Sequence, residues 1–366
     1  MKFTVSQSAL EKALAVVAKG MTTHTVMPIL AGVLVRAENG TIELQTTDSS
    51  ISVRHLVPAN VDEPGQTVLS GKMLQNIVKN LSDAAVCFSG EGSTVTISSE
   101  RSTFRLNALD PRDFPSFPQI EPDRTIELPS EVLSRMVDKV YKVTSKEASR
   151  PVLQGVLLTV EDNTIRLVAT DSFRLAVCDS FVEAPAGDPF RAIVPSATFH
   201  DVLTMPSLTE TITIGTTQNQ VVFSFGNTTF VSRRIEGNFP DYKGLLASTC
   251  ATAVELPCAD ISSALKRVSV VAQQNSAVRL DVDPDGALVR LSASSPDQGE
   301  SSEIVSAEVA GQGITIGLNY RYVFDCLSAV SDAERLRLEL VAPTQPCIFK
   351  VNGKINYLYL LMPVRL

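Results

Sequence analysis

The side chains that could do acid-base or nucleophilic chemistry are few in this chain and lie far apart. Its three histidines are His24, His55 and His200. None lies in an H-E-x-x-H pattern or beside a plausible nucleophile, so we expect surface or capping residues rather than catalytic bases. Glycine-rich phosphate loops of the G-x-x-x-x-G-K-[ST] and G-x-G-x-x-G types do not occur in the sequence. The sequence therefore predicts no enzyme, no cofactor and no metal.

Six cysteines could in principle bind zinc or form disulfides, but their spacing argues against both. No C-x-x-C pair occurs among them, and they are scattered along the chain. Free, buried thiols are the favoured interpretation. The cysteines are Cys87, Cys178, Cys250, Cys258, Cys326 and Cys347.

A Thr-Asp pair occurs twice, and its surroundings repeat with it. Thr47-Asp48 ends the segment 42–49 (IELQTTDS), and Thr170-Asp171 ends the segment 165–172 (IRLVATDS). A pair that recurs with its surroundings is more simply a turn, in which side chains bond to the backbone, than half of an active site. The repeat is therefore more informative than the pair.

The repeat extends along the whole chain with a period of about 123 residues. Residues 28–35 (PILAGVLV) return as 151–158 (PVLQGVLL), and residues 165–170 (IRLVAT) have a more divergent third-copy match at 289–294 (VRLSAS). Each copy also ends alike, at Phe114-Pro115, Phe239-Pro240 and Met362-Pro363. A repeat of this length is a whole folding unit. We predict three similar domains at 1–118, 119–245 and 246–366, with linkers at 114–122 and 241–249.

Each copy divides into two halves, and each half begins with an amphipathic helix that opens on a Ser, Asp or Asn cap. Alternating apolar residues then predict strands at 94–99, 211–215, 221–225 and 335–340, and Asn39-Gly40, Asp162-Asn163 and Asp285-Gly286 predict hairpin turns. The fold class is α+β, with two helices packed on antiparallel sheets in each domain. The predicted helices are 6–19, 70–80, 130–142, 196–204, 260–272 and 319–329.

Charge is distributed unevenly along the chain. The six helical stretches hold ten basic and six acidic residues, a net charge of +4, whereas the rest of the chain has a net charge of −12. Basic helices gathered on one side would attract a polyanion. Solvated helix faces, with lysine for solubility, are the alternative that charge alone leaves open. No apolar run is long enough for a membrane span or a signal peptide, so we expect a cytoplasmic protein.

The dimensions of helices favour the binding of a polyanion over helix faces that are merely solvated. Six helices, each ~10 Å wide, would line a ring with an opening of only about 9 Å, whereas twelve from two chains leave roughly 28 Å. The two groove depths of a DNA duplex alone sum to about 16 Å. A symmetric dimer could therefore surround double-stranded DNA, and a single chain could not.

Five segments resemble the bacterial sliding clamp family, the beta subunit of DNA polymerase III. The resemblance covers the entire chain, and it implies a head-to-tail homodimer that encircles double-stranded DNA and tethers the replicative polymerase subunit without catalysing a reaction. A clamp loader complex opens such rings with ATP, and other replication and repair proteins bind them. The segments are 1–5 (MKFTV), 27–30 (MPIL), 169–178 (ATDSFRLAVC), 237–242 (GNFPDY) and 361–366 (LMPVRL).

The resemblance also implies a groove between the second and third domains that accepts a partner's clamp-binding peptide. Arg174 and Arg365 would be available to bond its carbonyls or acidic groups. Without the resemblance, interdomain core is the simpler interpretation of these residues. Phe173 stands where the family commonly has histidine, and Gly244 stands where arginine is common. One side of the groove should therefore be more apolar, and its rim should be less basic. The implied groove residues are Leu153, Thr170, Ser172, Phe173, Arg174, Leu175, Pro240, Leu245, Thr344, Pro346, Leu360, Met362, Pro363, Val364 and Arg365.

DNA contacts and a dimer contact follow from the same resemblance. Val270 and Val271 match the family's apolar contact between the first domain of one chain and the third domain of the other. A neutral His24 would make its loop a weak DNA contact. A protein-binding scaffold of the same fold that has lost DNA encirclement remains the alternative. The implied DNA-binding residues are His24, Lys72 and Arg150, supported by Lys12, Lys79, Lys139, Lys142, Lys266 and Arg267.

Overall fold

The computed structural model describes residues 1–22, 25–82, 84–183, 189–246, 250–272 and 277–365. Their contacts divide the chain into two compact units. Unit 1 comprises Met1–Glu131 and Asp201–Arg234, and unit 2 comprises Val132–His200 and Ile235–Leu366. No described helix is both long and apolar enough to cross a membrane.

The described residues form six α-helices, as the periodicity predicts. The helix predicted at 260–272 ends four residues early. The ends of the other five helices lie within two residues of the predicted ones. The capping prediction is correct for Asn319, whose side chain accepts a hydrogen bond from the Arg321 N–H. Ser6 and Ser70 precede their helices without a side-chain cap. The helices are α1 Gln7–Val17, α2 Gly71–Lys79, α3 Ser130–Val140, α4 Ser196–Leu203, α5 Cys258–Val268 and α6 Tyr320–Ala329.

Unit 1 contains two antiparallel sheets, with strands numbered here in chain order. One has five strands in the order β5-β1-β7-β8-β9, and the other has eight in the order β10-β15-β16-β17-β4-β3-β2-β6. The strands are β1 Lys2–Ser6, β2 Gly32–Glu38, β3 Thr41–Thr47, β4 Ile51–Pro58, β5 Asn60–Glu63, β6 Gly65–Ser70, β7 Ala85–Glu91, β8 Thr94–Ser99, β9 Ser102–Asn107, β10 Arg124–Pro129, β15 Thr211–Thr216, β16 Gln220–Phe225 and β17 Thr228–Arg233.

Unit 2 also contains two antiparallel sheets. One has nine strands in the order β14-β11-β12-β13-β26-β25-β24-β18-β22, and the other has four in the order β21-β20-β19-β23. The strands are β11 Gly155–Glu161, β12 Thr164–Thr170, β13 Arg174–Phe181, β14 Phe190–Pro195, β18 Thr252–Pro257, β19 Ala277–Asp283, β20 Leu288–Ser295, β21 Gly299–Ser306, β22 Glu308–Ala310, β23 Ile314–Asn319, β24 Arg335–Leu340, β25 Cys347–Val351 and β26 Ile355–Leu361.

Two strand pairs join successive copies of the repeat through main-chain hydrogen bonds. In unit 1, β17 pairs with β4, so that Thr228 lies opposite His55. In unit 2, β26 pairs with β13, so that Leu360 lies opposite Leu175. Strands β4 and β13 hold the same place in the repeat, and β17 and β26 each precede the Phe-Pro or Met-Pro turn. We call each of these pairings a joint.

The recurring Thr-Asp pair forms the same turn in both copies, which confirms its structural interpretation. Asp48 Oδ1 accepts hydrogen bonds from the Ser50 and Ile51 N–H groups, and Asp171 Oδ1 accepts them from Phe173 and Arg174. The residue after each Asp has a positive φ, 76° at Ser49 and 79° at Ser172. These side-chain bonds stabilise a backbone conformation that L-residues rarely adopt.

The predicted hairpin turns occur in two forms. At Asn39-Gly40 and Asp162-Asn163 both turn residues have positive φ, as the commonest two-residue hairpins require. At Asp285-Gly286 the loop is longer, because Asp283 pairs with Leu288 and the positive φ falls on Ala287. The third copy therefore keeps the hairpin but not the tight turn.

The prediction of buried cysteines is correct for four and wrong for two. Burial raises the pKa of the Cys178 and Cys347 thiols to about 12, and Cys258 and Cys326 are also buried. Cys87 is exposed because it alternates with the buried Val86 and Phe88 along β7. Cys250 is exposed in the connection before β18.

His55 is not the surface or capping residue that the sequence predicts. It is half-buried at the joint of unit 1, where its Nδ1 lies 2.8 Å from Thr228 Oγ1. Burial lowers its pKa. His200 stacks on Tyr141 with ring centroids 4.4 Å apart. Both rings have structural roles.

Candidate functional site

The apolar floor of the predicted groove lies at the joint of unit 2. Leu175 and Leu360 face each other across β13 and β26 and are 2% and 5% exposed. Ile348 on β25 pairs with Leu360 on its other side. The turn after residue 238 covers the edge of this surface with Phe239 and Tyr242. The floor cluster comprises Leu157, Val168, Leu175, Val177, Ile193, Phe239, Tyr242, Ile348 and Leu360.

Three large apolar side chains stand exposed around this floor. Phe173 is 58% exposed, Leu245 is 55% exposed and Met362 is 41% exposed. The Met362 N–H donates a hydrogen bond to the Phe173 carbonyl at 2.9 Å, which fixes these two segments together. Exposed apolar side chains around a packed apolar floor are typical of a surface that binds another chain.

The remaining predicted groove residues differ in their exposure. Leu153 is buried, and Thr170 donates its hydroxyl hydrogen bond to the Arg174 carbonyl inside the turn. Ser172 is exposed and accepts a hydrogen bond from Arg150 Nη1. Exposed residues are Pro240, Thr344 and Arg365, and half-buried ones are Pro346, Pro363 and Val364.

Gly244 leaves the groove open on one side. A Cβ built there would meet no atom within 4 Å, so a larger side chain would extend freely into solvent. With glycine at this position, the neighbouring Leu245 is the prominent side chain of its turn. The less basic rim stays a prediction.

Arg174 lies beneath the groove, and its guanidinium is already engaged within unit 2. It donates to Asp171 at 2.9 Å, to Asp325 at 2.5 Å, to the Lys142 carbonyl at 2.8 Å and to the Tyr359 hydroxyl at 3.3 Å. Only 7% of the residue is exposed. To bond a bound peptide, as the sequence predicts, Arg174 would have to release one of these internal partners. Arg365 keeps an exposed position.

The surroundings of Arg174 form a compact polar cluster. Its guanidinium carbon lies 4.2 Å from the centroid of the Tyr322 ring, a cation–π contact. The Tyr359 hydroxyl donates onward to the Tyr322 carbonyl at 2.9 Å. Burial acts to lower the pKa of Arg174, but Tyr359, Asp325 and Asp171 outweigh it and raise that pKa above its usual value. Arg174 therefore ties the turn beside the groove to helix α6.

Sequence reasoning missed these polar partners and part of the floor. Asp325 and Tyr322 lie on α6, more than 140 residues from Arg174, and no local pattern connects them. Phe239 carried a usable signal, because the Phe-Pro turn recurs at the end of two copies. Tyr242 and Ile348 carried none beyond their apolar character.

The predicted DNA-binding residues fall into two groups. Lys139 is held between Asp332, at 3.2 Å, and the Ala329 carbonyl, and its side chain is 11% exposed. Arg267 makes a bidentate pair with Glu303 at 2.7 and 3.0 Å, and Arg150 lies 3.7 Å from Glu147. His24 lies outside the described residues. The exposed lysines are Lys12, Lys72, Lys79, Lys142 and Lys266.

Lys139 is thus a poor candidate for a phosphate contact, whereas the exposed lysines are good ones. A lysine with two internal partners and little exposure would have to give up both to reach a phosphate. The exposed lysines keep their ammonium groups in solvent. The two predicted dimer residues differ in their exposure. Val270 is 61% exposed at the end of α5, and Val271 is half-buried.

Among the described residues, no group of three or more His, Cys, Asp and Glu side chains could hold a metal ion. What the site offers is an apolar floor, an exposed apolar rim and one exposed arginine. This arrangement can bind an extended segment of another protein through its apolar side chains.

Comparisons with known proteins agree along the whole chain. Three family models match, described as the N-terminal, central and C-terminal domains of the DNA polymerase III beta subunit, over residues 1–118, 127–241 and 244–365. The beta sliding clamp of Staphylococcus aureus is 31% identical over all of this chain and 99% of its own length. That of Streptomyces coelicolor is 30% identical over all of both chains.

Solved structures are similar over the same extent. The crystal structure of the DNA polymerase sliding clamp from Bacillus subtilis superposes with a TM-score of 0.94 at 26% identity, covering 100% of this chain and 99% of that one. The C. crescentus beta sliding clamp has a TM-score of 0.92 at 29% identity, with full coverage of both chains.

Proposed function

Because the chain belongs to the DNA polymerase III beta subunit family, the bacterial sliding clamps, we propose how its parts carry out that function. The function itself is that of a DNA sliding clamp in replication, a non-catalytic processivity factor of the polymerase. We assign its three domains to 1–118, 119–245 and 246–366. We place it in the bacterial cytoplasm, where the chromosome is copied.

The proposed ring is a head-to-tail homodimer that closes by repeating the joint already made twice within the chain. Joints pair β17 with β4 and β26 with β13. The equivalent strands left over are β9, which ends the five-stranded sheet, and β21, which ends the four-stranded sheet. An edge strand presents unpaired N–H and C=O groups to a partner. Pairing β9 of one chain with β21 of the other would form two identical seams.

Apolar side chains beside these edges support the proposed seam. Phe104 on β9 is 37% exposed although its neighbour across the sheet, Ile97, is fully buried. Val270 lies at the end of α5, which is fastened to β21 by the hydrogen bond from Ser301 Oγ to the Val268 carbonyl. We propose that Phe104 of one chain packs near Val270 and Val271 of the other. These two open edges are the observation that carries the proposal.

For DNA we propose weak contacts to phosphates rather than to bases. A protein that slides needs charge attraction without base readout, and exposed lysines on α1, α2 and α5 supply it. Arg150 and Lys142 add to this set, whereas Lys139 and Arg267 serve first as internal ion-pair partners. His24 stays a prediction from the sequence.

For protein partners we propose the groove of unit 2. The partners are the replicative polymerase subunit, the clamp loader complex and other replication and repair proteins that carry a clamp-binding peptide. Such a peptide would bury apolar side chains on Leu175 and Leu360 and pack against Phe173, Leu245 and Met362. Its polar groups would meet Arg365 rather than the engaged Arg174.

Retention on circular DNA tests the ring. The purified protein is loaded on nicked circular DNA by a compatible clamp loader with ATP, and the circle is then cut. We expect most of the loaded protein to stay on the intact circle and to leave the linear product, because a ring can slide off a free end. Equal behaviour on both forms would favour the alternative, a clamp-fold scaffold that binds proteins without encircling DNA.

Met362→Asp tests the groove. We expect it to weaken binding of the replicative polymerase subunit about 10- to 100-fold, because it removes an apolar contact worth about 1.5–3 kcal/mol. Surface plasmon resonance with immobilised clamp measures the change. Phe181→Asp, at a side chain that is 70% exposed away from the groove, is the matched control and should leave the affinity unchanged. Unchanged affinity in both variants would place the polymerase elsewhere on the clamp.

A further inference from the structure

Unit 1 contains a cavity that the proposed ring, DNA contacts and groove do not involve. Its volume is about 640 Å³, within the range of small-ligand and peptide sites. One face of the eight-stranded sheet forms one side, and the segment 111–121 forms the other. The cavity is lined by Leu34, Arg36, Glu43, Gln45, Arg54, Gln66, Pro111, Phe114, Pro115, Ser116, Phe117, Pro118, Gln119, Ile120, Glu121, Val222, Thr229 and Val231.

This cavity lies at the place in unit 1 that the groove occupies in unit 2. Both adjoin a joint between copies, and both are covered by the segment after a Phe-Pro turn. The apolar cluster of Ile29, Leu34, Val68 and Phe114 corresponds one for one, by the repeat, to an apolar part of the groove. Those counterparts are Val152, Leu157, Ile193 and Phe239.

The other half of the cavity floor is polar where the corresponding part of the groove is apolar. Gln45 stands where the groove has Val168, and Arg54 stands where it has Val177. Thr229, opposite Arg54 across the joint, stands where the groove has Leu358. One side of the cavity is therefore as apolar as the groove, and the other side is polar.

The polar side holds two arginines around one carboxylate. Arg36 lies 3.6 Å and Arg54 lies 3.9 Å from Glu43, which also accepts a hydrogen bond from Gln45. Both ion pairs are long, and each arginine side chain is more than a third exposed. Both guanidinium groups share the Glu43 carboxylate at these long distances, and the second carboxylate of the lining, Glu121, is exposed and lies within ion-pair distance of neither arginine among the described residues.

The covering segment adds an aromatic face. The Arg54 guanidinium carbon lies 4.5 Å from the centroid of the Phe117 ring. This stacking holds the guanidinium plane while leaving its N–H groups pointing outward at the edges. Gln66, which accepts a hydrogen bond from Arg36 at 3.4 Å, contributes an amide beside it.

We propose that this cavity is a second docking site, which binds an acidic peptide segment with an apolar side chain next to a carboxylate. The apolar side chain packs on Leu34 and Phe114, and the carboxylate takes a bidentate hydrogen bond from Arg54. The amides of Gln45 and Gln66 face the peptide backbone. A partner's acidic segment can thus bind here while the groove of unit 2 holds another.

Charge favours a peptide over a nucleic acid. A nucleic acid would bring successive phosphates past Glu43 and Glu121, which both line the cavity. A single peptide carboxylate needs only the N–H groups of Arg54, whose pairing with Glu43 at 3.9 Å is long. The polar and apolar halves also match a segment that has side chains of both kinds.

A panel of synthetic peptides tests the proposal on the full-length protein. Each fluorescein-labelled octapeptide carries Asp or Glu next to Leu or Phe, and a matched set has Asn or Gln at the acidic positions. We expect fluorescence anisotropy to find acidic peptides that bind at least about tenfold more tightly than their amide counterparts. Met362→Asp should not change their affinity, which separates this site from the groove.

Arg54→Glu should weaken binding of those peptides about 10- to 100-fold, and the milder Arg36→Gln should weaken it less. Arg101→Glu, the same charge change on an exposed turn of unit 1, should have no effect. Thermal unfolding checks that all three variants are folded. The proposal is wrong if no acidic peptide of the panel binds, if Arg54→Glu leaves their affinity intact, or if a single-stranded oligonucleotide binds here instead.

Discussion

Replacing Arg174 with alanine is expected to lower the free energy of unfolding of unit 2 by about 3–5 kcal/mol. The change leaves Asp171 and Asp325 without the guanidinium that lies 2.9 and 2.5 Å from them. Removing one partner of a buried ion pair costs far more than removing an exposed one, because the remaining charge loses both its counterion and water. Arg174→Lys should recover only part of this loss, since an ammonium cannot hold four acceptors in one plane.

Urea unfolding followed by tyrosine fluorescence measures this effect selectively. The chain has no tryptophan, and all six of its tyrosines lie in unit 2. The control is Arg166→Ala, which removes a bidentate pair with Asp179 in the same sheet. That pair is 35% and 26% exposed, so we expect a loss below about 1 kcal/mol. Similar losses in the two variants would contradict the structural role given to Arg174.

Replacing Phe104 with arginine is expected to raise the dissociation constant of the dimer by about 100-fold or more. The substitution removes the burial of an aromatic side chain, worth about 1.5–3 kcal/mol, and places an unpaired guanidinium in the seam. A closed ring has two such seams, and both are altered in a homodimer. Sedimentation velocity over a range of protein concentrations measures the change.

Phe181→Arg provides the matched control for the seam. Phe181 is 70% exposed at the end of β13 and belongs to neither of the proposed seam strands, so its replacement should leave the dimer intact. Circular dichroism shows whether the Phe104→Arg monomer is folded. A Phe104→Arg protein that remains dimeric at nanomolar concentration would refute the seam between β9 and β21.

Local patterns were enough to predict the helices, the hairpins and the Thr-Asp turn. Helix α2 follows from apolar spacing alone, and the turn at Asp171 follows from its earlier occurrence at Asp48. These features depend on residues within one or two turns of each other. The repeat extended these predictions from one copy to the next, since two occurrences of one pattern imply two occurrences of one structure.

Long-range pairing could not be predicted in this way. Arg174 was expected to be available to a bound peptide, because its partners Asp325 and Tyr359 lie more than 150 residues away in sequence. Lys139 looked like a phosphate contact for the same reason, as Asp332 is distant in sequence. The joints themselves depend on which edge strands meet, and alternation within a strand does not determine its neighbour.

Because of the two joints, the segments that repeat in the sequence are not the same as the compact units of the structure. The copies predicted from the repeat begin at residues 1, 119 and 246, whereas the two compact units divide the predicted middle copy between them. A fragment cut at the end of the first copy would keep β4 but lose β17, its sheet neighbour. We therefore expect a single copy of the repeat to be unstable without the strand that its neighbour supplies, and unfolding to follow the two compact units rather than the three copies.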